Sequence, residues 1–108
     1  MADQAIMVVL CTFPNLEKAR QIGTLMVEMQ LAACVNLLPG AESIYRWEGK
    51  TCREEEVMAV FKVARCREQA LSEALVQAHP YEVPEVLILA VEGGNTTYLD
   101  WVAGQCGG

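Results

Sequence analysis

The stretch "HPYEVPE", His79 to Glu85, holds the chain's single histidine, two of its four prolines, a tyrosine and two carboxylates. An imidazole among carboxylates can ligate a metal, act as a base, or hydrogen-bond the last carbonyls of a preceding helix. A thiol at Cys11 would widen the chemistry, because thiolate suits soft ions and imidazole borderline ones, so a Cys11–His79 pair could take copper or zinc. The same pair could form a nucleophile and its base, with Glu82 or Glu85 as the orienting group. Cys11 lies inside an apolar run, however, and burial raises a thiol pKa and keeps the group inert. The expectation is a binding protein, not an enzyme.

A second set consists of amphipathic residues that line clefts and interfaces. Tyr45 and Trp47 share a strand face by parity, and Tyr81 carries a third polar-tipped ring. Lys62 stands alone in "AVFKVA"; on a mostly buried strand it needs a partner, which Glu56, an acid of another chain or a bound anion could supply. With Glu85, these residues are candidates to line a cleft or an interface. "GGNTT" could cradle an anion through its backbone, but no P-loop or dinucleotide fingerprint occurs.

The elements that must position these groups alternate. "AIMVVLCT" (5–12) is an unbroken β-branched and apolar run stopped by Pro14, the pattern of a buried strand. Asn15 caps a helix whose apolar residues Leu16, Ala19, Ile22, Met26 and Met29 recur at helical spacing, carrying it to about Leu31. "AACVNLL" is a second strand, broken by Pro39 and Gly40, resumed by "SIYRWEGK" and turned at Glu48–Gly49 into "EEVMAVFKVA". Ala70, Leu71, Ala74, Leu75 and Ala78 mark a second helix that Pro80 stops. "EVLILAV" (85–91) is the fourth strand, and Thr97 with Asp100 resembles a capping box for a short last helix.

The order βαββαβ with a helical tail is an α+β, ferredoxin-like plan in one domain, residues 1–108. Its strand order, 4-1-3-2, brings the end of the first strand beside the start of the fourth, and so Cys11 to the same sheet end as His79–Glu85. Two helices cover one sheet face. The first and fourth strands are nonetheless apolar on both faces, which predicts that copies of the chain cover the other.

Composition bounds the partners. Fourteen acids against eight scattered bases give a net charge of −6, which excludes a phosphate-neutralising patch and hence nucleic acid. The N-terminal apolar run is too short to span a bilayer, and an acid stands where a secretory leader would be basic, so no membrane association and a cytoplasmic location are expected. Five cysteines without a C-x-x-C pair predict neither a disulfide framework nor a zinc knuckle.

Six short stretches in order ("VVLCT", "LAACVN", "SIYRWEGK", "FK", "HPYEVPE" and "YLDW") make the chain similar to the CutA family of small divalent-cation tolerance proteins. The resemblance implies a ferredoxin-like subunit in a tight homotrimer, a link to copper tolerance and to the response to metal ions, and copper-ligand positions at Cys11 and His79. A further family ligand position, histidine in other members, is Ala78 here. Cys34 matches a family cysteine whose parity favours packing. Because such trimers resemble those of nitrogen-regulatory signalling proteins, the resemblance also implies intersubunit clefts for small effectors.

Overall fold

The computed structural model describes residues 5–107; Asp3, the acid that speaks against a secretory leader, lies outside them. The fold is a mixed α+β one, with four antiparallel strands in the order β2-β3-β1-β4 and three α-helices. Strand β1 (Ile6–Phe13) occupies the middle, between β3 (Lys50–Ala64) and β4 (Val86–Ala90). This is the order across the sheet that the sequence predicts. Met7, Val9, Cys11 and Phe13 alternate with residues of the opposite face and are buried with Val57, Ala59, Phe61 and Val63 of β3. Helices α1 (Leu16–Glu28) and α2 (Glu68–Ala78) close this core through Ala19, Ile22, Met26, Leu71 and Leu75. Full burial of Phe13 or Phe61 stabilises the fold by roughly 1.5–3 kcal/mol each.

Helix α1 ends earlier than its apolar spacing predicts. Asn15 caps its start by accepting from the Lys18 N–H at 2.8 Å. At the other end Gln30 adopts φ 61°, the Leu31 N–H bonds the Met26 carbonyl and the Gln30 N–H bonds that of Val27. These two bonds define a Schellman ending with buried Leu31 folded back toward buried Met26. Glutamine occupies the position where glycine would have announced the stop, so Met29, Gln30 and Leu31 read as helix and are not.

Strand β2 (Cys34–Trp47) is not broken at Pro39–Gly40 but bulged. Leu38 faces Met58 and Ala41 faces Glu56, so two residues of β2 oppose Val57 alone, and Gly40 takes φ 85° to make the kink. Pro39 is tolerated because β2 is an edge strand. The hairpin closes at Glu48 (φ 52°) and Gly49 (φ 80°), the positive-φ pair of a two-residue turn, with Trp47 opposite Lys50. Helix α3 (Thr96–Gln105) is capped by Asn95, which accepts from the Thr97 N–H at 3.0 Å, and not by the Thr97–Asp100 box read from the sequence. The competing asparagine sits one residue before the helix, where its short amide reaches the backbone.

Two features prepare the functional site. Strand β1 pairs only with Val57–Ala64 of β3, so the outer half of the β2–β3 hairpin extends beyond it as a two-stranded arm. The second sheet face, with Val8, Leu10, Leu38, Val60, Leu87 and Leu89, has neither α1 nor α2 over it. Leu38, Leu87 and Leu89 are half-exposed there. Helix α3 buries Val102 and brings the Tyr98 hydroxyl within 3.6 Å of Cys34 Sγ at one corner of that face, which accounts for the half-buried cysteine. The hairpin turn gives the direct test of this frame: Gly49→Ala, forced to φ 80°, is expected to lower stability by about 1–2 kcal/mol in urea unfolding at fixed protein concentration.

Candidate functional site

His79 is the residue after α2, its backbone N–H bonding the Leu75 carbonyl at 3.0 Å. Its side chain does not serve the helix carbonyls. The ring turns inward, 8% exposed, and stacks on Phe13 with centroids 4.8 Å apart. Nε2 lies 2.6 Å from the Thr12 carbonyl, and the Tyr81 N–H donates to Nδ1 at 3.1 Å. A carbonyl can only accept and an amide N–H can only donate, so the ring carries its proton on Nε2 and offers its lone pair at Nδ1 to Tyr81. Both nitrogens are occupied.

The topology brings Cys11 and His79 to one sheet end, as the strand order requires, but as packing neighbours. Cys11 is fully buried on the helix-covered face, and its thiol is pushed from 9.0 to about 12, first by burial and then by the charges of Glu85 and Glu56. It stays protonated at neutral pH and gives a soft metal no thiolate. Among the described residues no three His, Cys, Asp or Glu side chains converge as metal ligands, and Ala78 adds no donor. Copper therefore does not fit Cys11 and His79 in this arrangement. A nucleophilic Cys–His pair is equally unsupported, since the imidazole is turned to Thr12 and Tyr81.

The remaining candidates gather elsewhere. Between the outer hairpin and the loop after His79 lies a cavity of about 780 Å³, which Tyr45, Trp47, Tyr81 and Glu85 line together with Thr12, Glu54, Glu56 and Glu82. The Tyr81 hydroxyl donates to Glu56 at 2.6 Å and that of Tyr45 to Glu54 at 2.8 Å. The bond to Glu54 holds the Tyr45 phenol up at about 12; burial, and then the bond to Glu56, raises that of Tyr81 further. His79 also packs on the Tyr81 ring, 4.7 Å between centroids, so the imidazole orients one wall of the cavity.

Lys62 is not part of this wall. Its ammonium donates to Asn36 Oδ1, and Glu56 bonds Tyr81 instead. Glu56 and Lys62 do share a sheet face, but six residues of extended chain separate them by roughly 20 Å, beyond the reach of an ion pair. Glu54 is not singled out in the sequence, and Glu56 only as a partner for Lys62, yet counting from the turn finds Glu54: Trp47 opposite Lys50 and Tyr45 opposite Cys52 place it across from Ser43, diagonal to Tyr45 on the same face.

Two outcomes follow from this geometry. His79→Phe retains the stack on Phe13 but leaves the Thr12 carbonyl and the Tyr81 N–H without partners, and is expected to lose about 2–4 kcal/mol in urea unfolding. Iodoacetamide at pH 8 should label exposed Cys66 and leave Cys11 unmodified until the protein unfolds, as read by peptide mass spectrometry. The raised thiol pKa has a definite sign in stability as well: the Cys11 contribution is complete below pH 9 and is lost as pH rises toward about 12.

Comparison with known proteins places this architecture. Residues 7–105 match the family model described as CutA1 divalent ion tolerance protein. The chain is 46% identical over 105 residues to the Divalent-cation tolerance protein CutA of Pectobacterium atrosepticum, covering 94% of this chain and 96% of that protein. The solved divalent cation tolerance protein (Cut A1) of Thermus thermophilus superposes with a TM-score of 0.91 at 42% identity, over 94% of this chain and 99% of the other. A structure described as the periplasmic divalent cation tolerance protein CutA of Archaeoglobus fulgidus gives a TM-score of 0.91 at 28% identity, covering 94% and 99%. With the matched model spanning nearly all of it, this chain belongs to the CutA1 divalent ion tolerance protein family.

Proposed function

We propose that this divalent-cation tolerance protein acts as a homotrimer of ferredoxin-like subunits that binds a small solute and transforms nothing. The observation that carries this reading is the bare sheet face. Leu38, Leu87 and Leu89 are 50–52% exposed on one side of a sheet whose other side carries α1 and α2. Water-exposed leucines on a contiguous strand face are what copies of the chain would bury. The outer hairpin, with Ile44 at 66% and Trp47 at 43% exposure and no third strand beside it, supplies an arm long enough to reach a neighbour. The whole structure extends 49 Å along its longest axis against 25 and 21 Å across.

Within that assembly the cavity beside Tyr45, Trp47 and Tyr81 is the solute site, and the protein's part in the response to metal ions is regulatory or indirect. Direct copper capture at Cys11 and His79 would demand that the imidazole withdraw its Nδ1 lone pair from the Tyr81 N–H and that a core thiol lose its proton. No helix among the described residues is long and apolar enough to cross a membrane. A cytoplasmic setting is part of the proposal, since the five cysteines carry no disulfide there.

Light scattering at micromolar concentration is expected to give about three times the 11.9 kDa subunit mass. Leu89→Glu, on the bare face and opposite Val8, is expected to give single subunits with the circular dichroism of the intact fold. A folded monomer from the unmodified chain would end the assembly reading. Titration of the reduced protein with Cu(I) or Cu(II) is expected to give no binding that both Cys11→Ser and His79→Ala abolish; such binding would restore direct metal capture.

A further inference from the structure

Glu56 is a carboxylate 7% exposed, with one hydrogen bond, from the Tyr81 hydroxyl, and no cationic partner among the described residues. A buried carboxylate normally sits against an arginine, a lysine or a metal, because desolvation without a counter-charge is costly. Here its environment is the wall of a cavity of about 780 Å³ that Glu54, Glu82 and Glu85 also line and to which no lysine, arginine or histidine contributes. The two phenol protons are already given, that of Tyr45 to Glu54 and that of Tyr81 to Glu56. An anionic effector would meet four carboxylates and neither phenol proton. A bare divalent ion would find no three converging ligands among the described residues. What remains is a cation too large and too weakly hydrated to need tight oxygen coordination, whose charge can spread over aromatic faces.

We propose that the cavity between the outer hairpin and the His79–Glu85 loop takes an organic cation, a primary or quaternary ammonium, with Glu56 as its counter-charge and Tyr45, Trp47 and Tyr81 as its aromatic walls. The volume lies in the range of small-molecule sites, and rings around a positive charge provide the favourable electrostatics of cation–π contact. The proposal rests on the solute-site reading of this cavity and adds the class of the solute. Glu56 is the residue that distinguishes a charged from a neutral ligand. Trp47, 43% exposed, is the wall that can be removed without opening the core.

The test is calorimetric titration of the full chain with benzyltrimethylammonium chloride, benzyl alcohol, sodium benzoate and calcium chloride. Benzyltrimethylammonium is expected to bind at least tenfold more tightly than benzyl alcohol, with benzoate and calcium silent. Glu56→Gln should weaken the ammonium at least tenfold and leave benzyl alcohol unchanged, and Trp47→Ala, which keeps the core intact, should weaken both. Equal affinity for alcohol and ammonium would overturn the charge assignment while leaving the cavity a solute site. Silence from all three organic probes would overturn the solute site as well. Calcium binding that depends on Glu56, with the ammonium silent, would replace the organic cation by an inorganic one.

Discussion

One imidazole ties the core to the cavity. His79 leans on Phe13, donates to the Thr12 carbonyl near the end of β1 and accepts from the backbone of Tyr81, so the end of β1 and the loop after α2 meet on a single ring. Tyr81, held by that bond and by ring contact, then aims its hydroxyl at Glu56. The sequence of contacts runs from a packed aromatic through a histidine fixed in one tautomer to a phenol and a carboxylate. Such serial hydrogen bonds polarise one another in a low-dielectric setting, and each group restricts the next. The histidine is a positioning residue, and its burial with both nitrogens satisfied explains how a polar ring is accommodated against the core.

The second constraint is one of length. Strand β1 has eight residues, whereas the strands of the hairpin have fourteen and fifteen. A hairpin that outruns its sheet exposes both faces of its outer half. On one face it carries Tyr45 and Trp47 over Cys52 and Glu54; on the other, Ile44 beside charged neighbours such as Arg53 and Glu42, 4.0 Å apart in an exposed and weak ion pair. Two strands alone are marginal in water, so an arm of this length is stabilised by what it touches beyond its own sheet. The bulge at Pro39–Gly40 lies near the point where the third strand gives out, and its added twist turns the arm relative to the packed half.

Much of this frame is legible in the residues. The apolar run of β1, the spacing of α1 and α2, the Glu48–Gly49 turn and the order of the elements follow from period and punctuation, which act locally. The parts that escape such a reading are those set by non-local competition. Gln30 adopts a left-handed backbone because Leu31 gains a buried place beside Met26, and no residue type announces this. Pro39 has the look of a strand break because the edge position that excuses it is a property of the sheet. Face parity alone pairs Glu56 with Lys62, and parity records which side a residue occupies but not how far along the strand it lies. For His79 the neighbourhood is legible and the bonds are not: topology places the ring near Cys11, while the direction of each nitrogen depends on a carbonyl 67 residues away.

The same acids that surround the cavity also act through the sheet on the core. Glu85 and Glu56 are the charges that raise the Cys11 thiol in addition to burial, and Glu56, with Glu54, contributes to raising the Tyr81 phenol. A positive charge lodged among these carboxylates would cancel part of that field and leave the desolvation in place. The proton on Cys11 and the occupancy of the cavity are thus electrostatically linked, from opposite faces of one sheet, with no ligand touching the thiol. Because burial is the larger cause, the link is too small to ionise Cys11 at neutral pH. In a family named for divalent cations, the geometry of this chain therefore separates Cys11 and His79, which build the interior, from the carboxylates, which face a space where a positive charge can enter.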